Sequence, residues 1–249
     1  SYGIDLNRNF GPYAYWNAPN GGSSTDPTSD TYRGTAPFSE PETQNLRDFV
    51  IGKNFKACLN YHTYSNLLVY PYGALVHETP DSLIYREYAR DMTAWNGYTY
   101  GTDQQTVGYS TRGNSDDFMY DGDLASNGKI FAMTPEVGSG SDNFWPSTSR
   151  ILPLAQENLY PNIYLSNIAG NYPLLQQTNI VDSSGDGFVE RGEKFYIKLT
   201  IRNKGLDSAH NVTLQFATSS PNIQIPNDPI DLGTIGPVSS KFDSVQCSA

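Results

Sequence analysis

The stretch Phe55-Lys-Ala-Cys-Leu-Asn-Tyr-His-Thr-Tyr-Ser-Asn-Leu-Leu-Val-Tyr70 decides the fold class of the first part of this chain. It contains two short apolar runs, residues 55–61 and 66–70, which predict two buried strands joined by a short turn. His62 directly follows the first strand, where a side chain emerges at the edge of a sheet. Taken alone, a single histidine in that place is more typical of a satisfied core or rim residue than of a functional one.

Predicted helices flank these strands along the chain. The predicted elements are a long loop over residues 1–35, helices over 39–50, 81–95 and 151–169, and a strand over 129–134 that ends at Pro135-Glu136. Helices that alternate with apolar strands indicate an α/β domain with a mixed or parallel sheet flanked by helices.

The second part of the chain has a different character, and the change comes near Tyr172-Pro173. From Ile180 onward, apolar and polar residues alternate over runs that Pro and Gly interrupt, and no helical period is present. This pattern predicts a small all-β sandwich. We therefore predict two domains, an α/β domain over residues 1–173 and a β-sandwich accessory domain over residues 178–249.

Composition and charge exclude several classes of function. The net charge of −10 and the pI near 4.6 argue against a nucleic-acid partner, because phosphates attract a basic face. No apolar stretch approaches the ~18 residues that span a bilayer, so no membrane partner is expected. The low Lys and Arg content favours a secreted or periplasmic protein, and the start at Ser1 favours a processed or truncated N-terminus.

Five segments in order along the chain carry a family resemblance. They are Gly3-Ile-Asp-Leu-Asn-Arg-Asn-Phe10, Tyr32-Arg-Gly-Thr-Ala-Pro-Phe-Ser-Glu-Pro-Glu-Thr43, Asn60-Tyr-His-Thr-Tyr-Ser-Asn-Leu-Leu-Val-Tyr-Pro-Tyr-Gly73, Gly108-Tyr-Ser-Thr-Arg-Gly-Asn-Ser-Asp-Asp-Phe118 and Phe131-Ala-Met-Thr-Pro-Glu-Val137. Together they resemble the zinc carboxypeptidases of the carboxypeptidase A, B and T type, over about residues 1–171. The resemblance implies that residues 1–173 are the later, N-terminally truncated portion of a carboxypeptidase-like catalytic domain.

The resemblance implies an incomplete zinc site. It makes His62 the third zinc ligand and Asp5 the carboxylate that supports one of the other ligands from outside the coordination shell. The remaining ligands, a His and a Glu on a His-x-x-Glu segment, are expected upstream of Ser1. Because a catalytic zinc site uses three protein ligands, this chain alone is expected to bind zinc poorly and to have little or no activity. The missing segment of the same protein is then an expected partner.

The same resemblance assigns roles in a pocket that recognises the C-termini of peptides. Asn7 and Arg8 are expected to grip the terminal carboxylate of the substrate, since the planar guanidinium donates two parallel hydrogen bonds. Glu136 matches the general base, and Tyr109 matches a mobile tyrosine that folds over bound substrate. Tyr64 is also expected to contact substrate. The implied partners are the C-termini of peptides or proteins.

Asp116 is the expected determinant of specificity. In the family an apolar residue at this place accompanies a preference for apolar C-terminal side chains, and an Asp accompanies a preference for basic ones. Ser115-Asp116-Asp117 resembles the second version, so a preference for C-terminal Lys or Arg is expected. A buried carboxylate would leave an apolar side chain facing an unpaired charge.

The second domain contains a sequence that fits a calcium loop. In the twelve residues 182–193, Asp182, Ser184, Asp186 and Glu193 occupy positions 1, 3, 5 and 12. No flanking helices are predicted, so a structural calcium site on a strand-leading loop is expected rather than an EF-hand. The alternative is a polar Asp/Gly turn that binds no metal.

Three functional hypotheses remain open at this point. The first is a metallocarboxypeptidase of which this chain is a part. The second is a non-catalytic, peptide-binding pseudo-enzyme, although a retained Glu136 has little use in binding alone. The third is a hydrolase of the same superfamily that cleaves cell-wall peptides or acyl-amino acids.

Overall fold

The computed structural model describes residues 3–249, which form two compact units. The first unit ends at Leu165, and the second comprises Ser166–Ala249. This division falls inside the last helix of the chain, and the domain limits inferred from the sequence stay a prediction. Across the described residues, no helix has both the length and the apolar character needed to cross a membrane.

Short helices surround the sheet of the first unit. The α-helices are α1 (Tyr13–Trp16), α2 (Pro41–Val50), α3 (Ser82–Met92), α4 (Asp103–Thr106), α5 (Ser115–Asp117), α6 (Leu124–Asn127), α7 (Thr148–Glu157) and α8 (Leu159–Ile168), with a 3₁₀ turn at Leu6–Arg8 and a π-helical turn at Phe118–Gly122. The loop predicted over residues 1–35 therefore contains two helical turns. The helix predicted over residues 151–169 is interrupted at Asn158, whose side-chain amide donates to the carbonyl of Leu154 at 2.9 Å.

A mixed four-stranded sheet organises the first unit. Its strands are β1 (Ala57–Leu59), β2 (Leu67–Val69), β3 (Thr99–Gly101) and β4 (Phe131–Glu136), in the order β1-β4-β2-β3. The β4 strand is parallel to β1 and antiparallel to β2, and β2 is parallel to β3. The predicted α/β class with a mixed sheet is confirmed.

Helices cover β4 on both of its faces. Successive side chains of a strand point to opposite faces, so neighbouring residues of β4 contact different helices. On one face, Phe131 contacts Tyr85 and Tyr88 of α3, with ring centroids 5.3 Å and 6.1 Å apart. On the other face, Ala132 belongs to an apolar cluster that includes Val50 of α2. Burying both faces fixes β4, and with it the position of Glu136 at its end.

The second unit contains two antiparallel sheets. The strands are β5 (Pro173–Asp182), β6 (Lys194–Asn203), β7 (Ala209–Leu214), β8 (Ile230–Ile235) and β9 (Ser239–Ser248). One sheet has the order β5-β6-β9 and the other pairs β7 with β8. Ile201 of the first sheet packs in one cluster with Leu232 and Ile235 of the second. The structure thus bears out a separate small β domain.

Candidate active site

The pairing of β1 with β4 brings His62 beside Glu136. The parallel register that aligns Ala57 with Phe131 continues past the ends of both strands. The amide of His62 donates to the carbonyl of Pro135 at 2.9 Å, and the amide of Val137 donates to the carbonyl of His62 at 2.9 Å. Two chain-distant residues are therefore held at the same edge of the sheet by backbone hydrogen bonds.

The electrostatic surroundings of these two side chains differ. Burial lowers the pKa of His62, Arg8 acts in the same direction and Asp5 opposes it, so the imidazole is neutral and able to act as an acceptor or ligand. Burial raises the pKa of Glu136 to about 7; the charge of Asp116 adds to this effect and Arg8 opposes it. A carboxyl group in this range suits proton transfer near neutral pH.

The 3₁₀ turn at Leu6–Arg8 positions an arginine at the same edge. Asp5 caps the turn by accepting from the amide of Asn7 at 3.0 Å. Arg8 donates from Nε to the carbonyl of Gly22 at 2.7 Å and from Nη1 to the carbonyl of Asn7 at 2.9 Å. Its Nη2 has no hydrogen-bond partner among residues 3–249, so one edge of the guanidinium remains available to a ligand.

Two asparagines attach this turn to the rest of the first unit. The Asn7 side-chain oxygen accepts from the amide of Ser115 at 3.0 Å. The fully buried Asn9 donates to the carbonyls of Arg33 and Ala36 and accepts from Thr43 of α2 at 2.7 Å. The segment that carries Arg8 is thus fixed to α2 and α5 despite having little regular structure of its own.

A cavity of about 300 Å³ collects most of the residues predicted from the sequence. Its walls include Asp5, Asn7, Arg8, His62, Tyr109, Asp116 and Glu136, together with Asp103, Thr111, Asn114, Thr134 and Phe144. Tyr64 is not part of this wall, but its ring packs edge-to-face on Phe144 with centroids 4.9 Å apart. Tyr109 is a wall residue that is 54% exposed.

Asp116 lies deep in this cavity, where the residue is 7% exposed and both oxygens of its carboxylate are hydrogen-bonded. Its oxygens accept from the Asn60 amide at 2.5 Å and from the Thr134 hydroxyl at 2.7 Å. Burial raises the pKa of Asp116 to about 6, although both hydrogen bonds act in the opposite direction. The neighbouring Asp117 accepts from the amides of Gly73 and Ala74, and burial raises its pKa to about 7.

Asp103 is a cavity residue that the sequence analysis missed. It is 8% exposed, accepts from the Thr111 hydroxyl, and has its pKa raised well above the usual range by burial and by the charges of Asp117 and Asp116. It lies in a polar stretch with no motif of its own. Gly73 makes room for it, since a Cβ there would lie 2.6 Å from the Asp103 carboxylate and 2.4 Å from the Thr111 hydroxyl.

The buried carboxyls predict how stability depends on pH. A folded-state pKa of about 6 for Asp116 lies above the unfolded value of about 3.9, so the folded state binds this proton more tightly. Its contribution to the free energy of unfolding is therefore full below about pH 4 and is lost as pH rises through 6. Asp116→Asn should abolish this pH-dependent loss. The free energy of unfolding of the variant, relative to that of wild type, should therefore rise by up to about 3 kcal/mol between pH 4 and pH 8.

Urea unfolding of both proteins across this pH range measures the difference. Asp48→Asn, at an exposed position of α2, is the matched control and should track wild type at every pH. A difference between Asp116→Asn and wild type that stays constant with pH would contradict the assignment.

The described residues alone do not provide a zinc site. His62 is the one imidazole at the cavity, and no group of three or more His, Cys, Asp or Glu side chains within residues 3–249 has the geometry to hold a metal ion. A catalytic zinc ion needs three protein ligands. His62 can therefore supply one ligand of such a site, and the others are not among these residues.

The predicted calcium loop connects β5 to β6 in the second unit. Asp182 accepts from the Ser184 hydroxyl at 2.8 Å and from the Asp186 amide at 2.9 Å, and Glu193 accepts from the amides of Ser184 and Glu190. These carboxylates satisfy donors of their own loop, and in the part of the chain that the structure describes they do not form a metal-binding group. Calcium binding stays a prediction.

The comparison with known families decides the relationship. The model of the zinc carboxypeptidase family matches residues 1–161. This chain belongs to the zinc carboxypeptidase family. The match covers nearly all of the first unit and includes each residue that the sequence analysis assigned to the pocket.

Individual zinc carboxypeptidases are similar to the chain at a moderate level. Carboxypeptidase A1 of Rattus norvegicus is 35% identical over 165 residues, which covers 62% of this chain and 36% of that protein. Carboxypeptidase B of Rattus norvegicus is 33% identical over 175 residues, which covers 66% of this chain and 40% of that protein. The chain thus spans little more than a third of the length of these relatives.

A solved structure supports the fold. Bovine thrombin-activatable fibrinolysis inhibitor, in complex with tick carboxypeptidase inhibitor, superimposes with a TM-score of 0.56 at 30% identity. The superposition covers 67% of this chain and 57% of that chain. The predicted carboxypeptidase-like α/β fold is confirmed.

Proposed function

We propose that the protein containing this chain is a zinc-dependent exopeptidase that removes C-terminal amino acids from peptides and proteins. The observation that carries the proposal is the shared cavity of Arg8 and Glu136. One edge of the Arg8 guanidinium is available for a terminal carboxylate, and Glu136 is a half-buried carboxyl whose pKa is raised to about 7. A carboxylate clamp beside a general base is what cleavage of the last peptide bond requires.

Each residue of the site then has a proposed role in binding or in proton transfer. Arg8 pairs with the terminal carboxylate, and the Asn7 side chain lies beside it. Glu136 accepts a proton from the attacking water and passes it to the leaving amine. Tyr109 folds over the bound peptide end from the mouth of the cavity. Tyr64 and its neighbour Phe144 form an aromatic surface for the preceding residues of the peptide.

The zinc ligands other than His62 are proposed to come from residues of the whole protein that lie outside this chain. Two observations support this proposal. The β1 strand is an edge of the sheet, and a groove next to it exposes Leu6, Leu59 and Tyr61 around His62. A further segment seated there would bring its side chains next to His62 and Asp5. This chain alone is accordingly proposed to have little or no activity.

A preference for C-terminal Lys or Arg is part of the proposal. Asp116 and Asp103 are both carboxyl side chains of the cavity wall, and both are at least nine-tenths buried. A cationic side chain entering the cavity would favour the ionised form of both carboxyls and pair with them, whereas an apolar side chain would leave both without a counter-charge. The carboxyl group of Asp103 is a second argument for a basic preference, which the sequence had indicated through Asp116 alone.

Matched peptides test the activity and the preference together. The full-length protein should cleave a peptide ending in Lys roughly 100-fold more efficiently in kcat/KM than the same peptide ending in Phe. It should not cleave either peptide when the C-terminus is an amide. Asp116→Asn and Asp103→Asn should each reduce cleavage of the Lys peptide and improve or preserve cleavage of the Phe peptide.

The outcomes of this experiment separate the parts of the proposal. Equal rates on the Lys and Phe peptides would remove the basic preference while keeping the exopeptidase. Equal cleavage of amides and free acids would remove the exopeptidase. Binding of free-acid peptides without cleavage would favour the peptide-binding pseudo-enzyme, and cleavage confined to cell-wall peptides or acyl-amino acids would favour the related hydrolase.

A secreted or periplasmic location completes the proposal. It rests on the composition of the chain, in which only 16 of 249 residues are Lys or Arg while 18 are Tyr and 22 are Gly. Detection of the native protein in the culture medium or periplasmic fraction is the measurement, and recovery from the cytoplasmic fraction alone would exclude it.

A further inference from the structure

Arg112 uses all three of its guanidinium nitrogens on one loop outside the cavity. Nε donates to the Ser23 hydroxyl at 3.1 Å, Nη1 to the Ala18 carbonyl at 3.0 Å, and Nη2 to the Ser23 carbonyl at 2.7 Å. We call this loop, residues 18–23, the strap. Arg112 does not line the cavity, so it is not placed to touch a substrate.

The strap supplies the group that orients Arg8. The carbonyl of Gly22 accepts from Arg8 Nε at 2.7 Å. Together with the carbonyl of Asn7, it determines which edge of the guanidinium remains free to face the cavity. If the Gly22 carbonyl moved away, the Nε atom of Arg8 would lose its hydrogen-bond acceptor.

The strap depends on close contact with the segment of Arg112. Gly22 has a φ of +90°, and a Cβ on it would lie 1.8 Å from the Ser110 carbonyl. The backbone of the strap therefore lies directly on residues 110–111. Only a glycine permits this approach, and the three hydrogen bonds of Arg112 stabilise the contact between the strap and residues 110–111.

The segment that carries Arg112 is itself fixed to the site. The Thr111 amide donates to the Gly73 carbonyl at 2.9 Å, and the Gly113 carbonyl accepts from the Phe10 amide at 2.9 Å. Tyr109, an exposed residue of the cavity wall, precedes Arg112 by three positions in this segment. Arg112 thereby connects the segment of Tyr109 to the loop that orients Arg8.

We propose that Arg112 is a positioning residue for Arg8: it holds the strap so that the Gly22 carbonyl directs the guanidinium toward the terminal carboxylate of the substrate. The inference rests on the proposed function, because it assigns Arg8 to carboxylate binding. It adds a residue to which neither the sequence analysis nor the family relationship gives a role.

The test uses the full-length protein and a peptide with a free C-terminal carboxylate. Arg112→Ala should raise KM, and the Kd measured by calorimetry, about tenfold, which corresponds to one lost charge-assisted hydrogen bond. The kcat value should change less than about threefold, because Glu136 is untouched. Binding of the same peptide as a C-terminal amide should be unchanged. Arg90→Ala, an exposed arginine of α3 that pairs with Asp91, is the matched control and should behave as wild type.

A double-mutant cycle shows whether Arg112 acts through Arg8. In an Arg8→Ala background, Arg112→Ala should have no further effect on KM or Kd, so the two changes are strongly non-additive. An equal effect in both backgrounds, or a lower kcat with unchanged KM, would overturn the inference. If Arg112→Ala fails to fold, Arg112→Lys, which cannot make all three hydrogen bonds, replaces it in both backgrounds, and the same results support or overturn the inference.

The wild-type protein separates this inference from the proposed function. If wild type neither cleaves the free-acid peptide nor binds it better than the amide, the proposed function fails. If wild type does both and Arg112→Ala does so equally well, only the role of Arg112 fails.

Discussion

Replacing Glu136 with Gln in the full-length protein should lower kcat by about 100- to 10,000-fold and leave KM within a few-fold of wild type. The amide keeps the size and shape of the side chain but cannot accept a proton from water. The backbone hydrogen bonds that hold residue 136 against His62 do not involve its side chain, so the position should be preserved. Steady-state kinetics on a peptide ending in Lys measure the effect.

Two controls make this result specific. Glu42→Gln, in the exposed first turn of α2, should have wild-type kinetics. Calorimetry on Glu136→Gln should show peptide binding close to that of wild type, since the Arg8 clamp is intact. Retention of more than a tenth of wild-type kcat would contradict a general-base role for Glu136.

Replacing Arg8 with Ala should lower kcat/KM for free-acid peptides by about 100- to 10,000-fold, because the substitution removes two charge-assisted hydrogen bonds to the terminal carboxylate, each worth about 1.5–3 kcal/mol. Arg8→Lys should recover part of the loss, because an ammonium group keeps the charge but not the planar pair of donors. Binding of the free acid relative to the amide, measured by calorimetry, isolates the effect of the clamp from that of the reaction.

Arg191→Ala provides the comparison for Arg8. This arginine is exposed in the second unit, so its removal changes net charge by the same amount without touching the cavity. It should leave kinetics and binding unchanged. If Arg8→Ala bound the free acid as tightly as wild type does, the carboxylate clamp would have to be assigned elsewhere.

Much of the candidate site could be predicted because its residues occupy the ends of strands with strong apolar patterns. The runs before His62 and Glu136 predict strands, and adjacent parallel strands of one sheet end at one edge. Asn7 and Arg8 lack such a pattern, and only the family resemblance indicates them. The structure then brings all four to one cavity.

Other features depend on tertiary contacts that leave no local signal. Asp103 looks like an ordinary first-turn residue of a short helix, and it joins the cavity only because Gly73 and Thr111 pack against it. The role inferred for Arg112 depends on a single backbone carbonyl, that of Gly22, and side-chain patterns do not reveal where a carbonyl points. The break at Asn158, by contrast, has a local cause, because Pro161 lacks the backbone N–H that a continuous helix would donate to the carbonyl of Glu157.

The place of β4 in the sheet has a consequence for the proposed exopeptidase. This strand is hydrogen-bonded on both sides and covered on both faces, and it carries Glu136. The groups proposed to select the side chain, Asp103 and Asp116, belong to helical turns outside the sheet. Under the proposed function, the proton-transferring carboxyl is carried by a strand enclosed by the sheet and by helices, whereas the carboxyls that select the side chain are carried by short helical turns packed beside it. Substitutions at Asp103 or Asp116 are therefore expected to change the preferred C-terminal side chain without displacing Glu136 from its place at the end of β4.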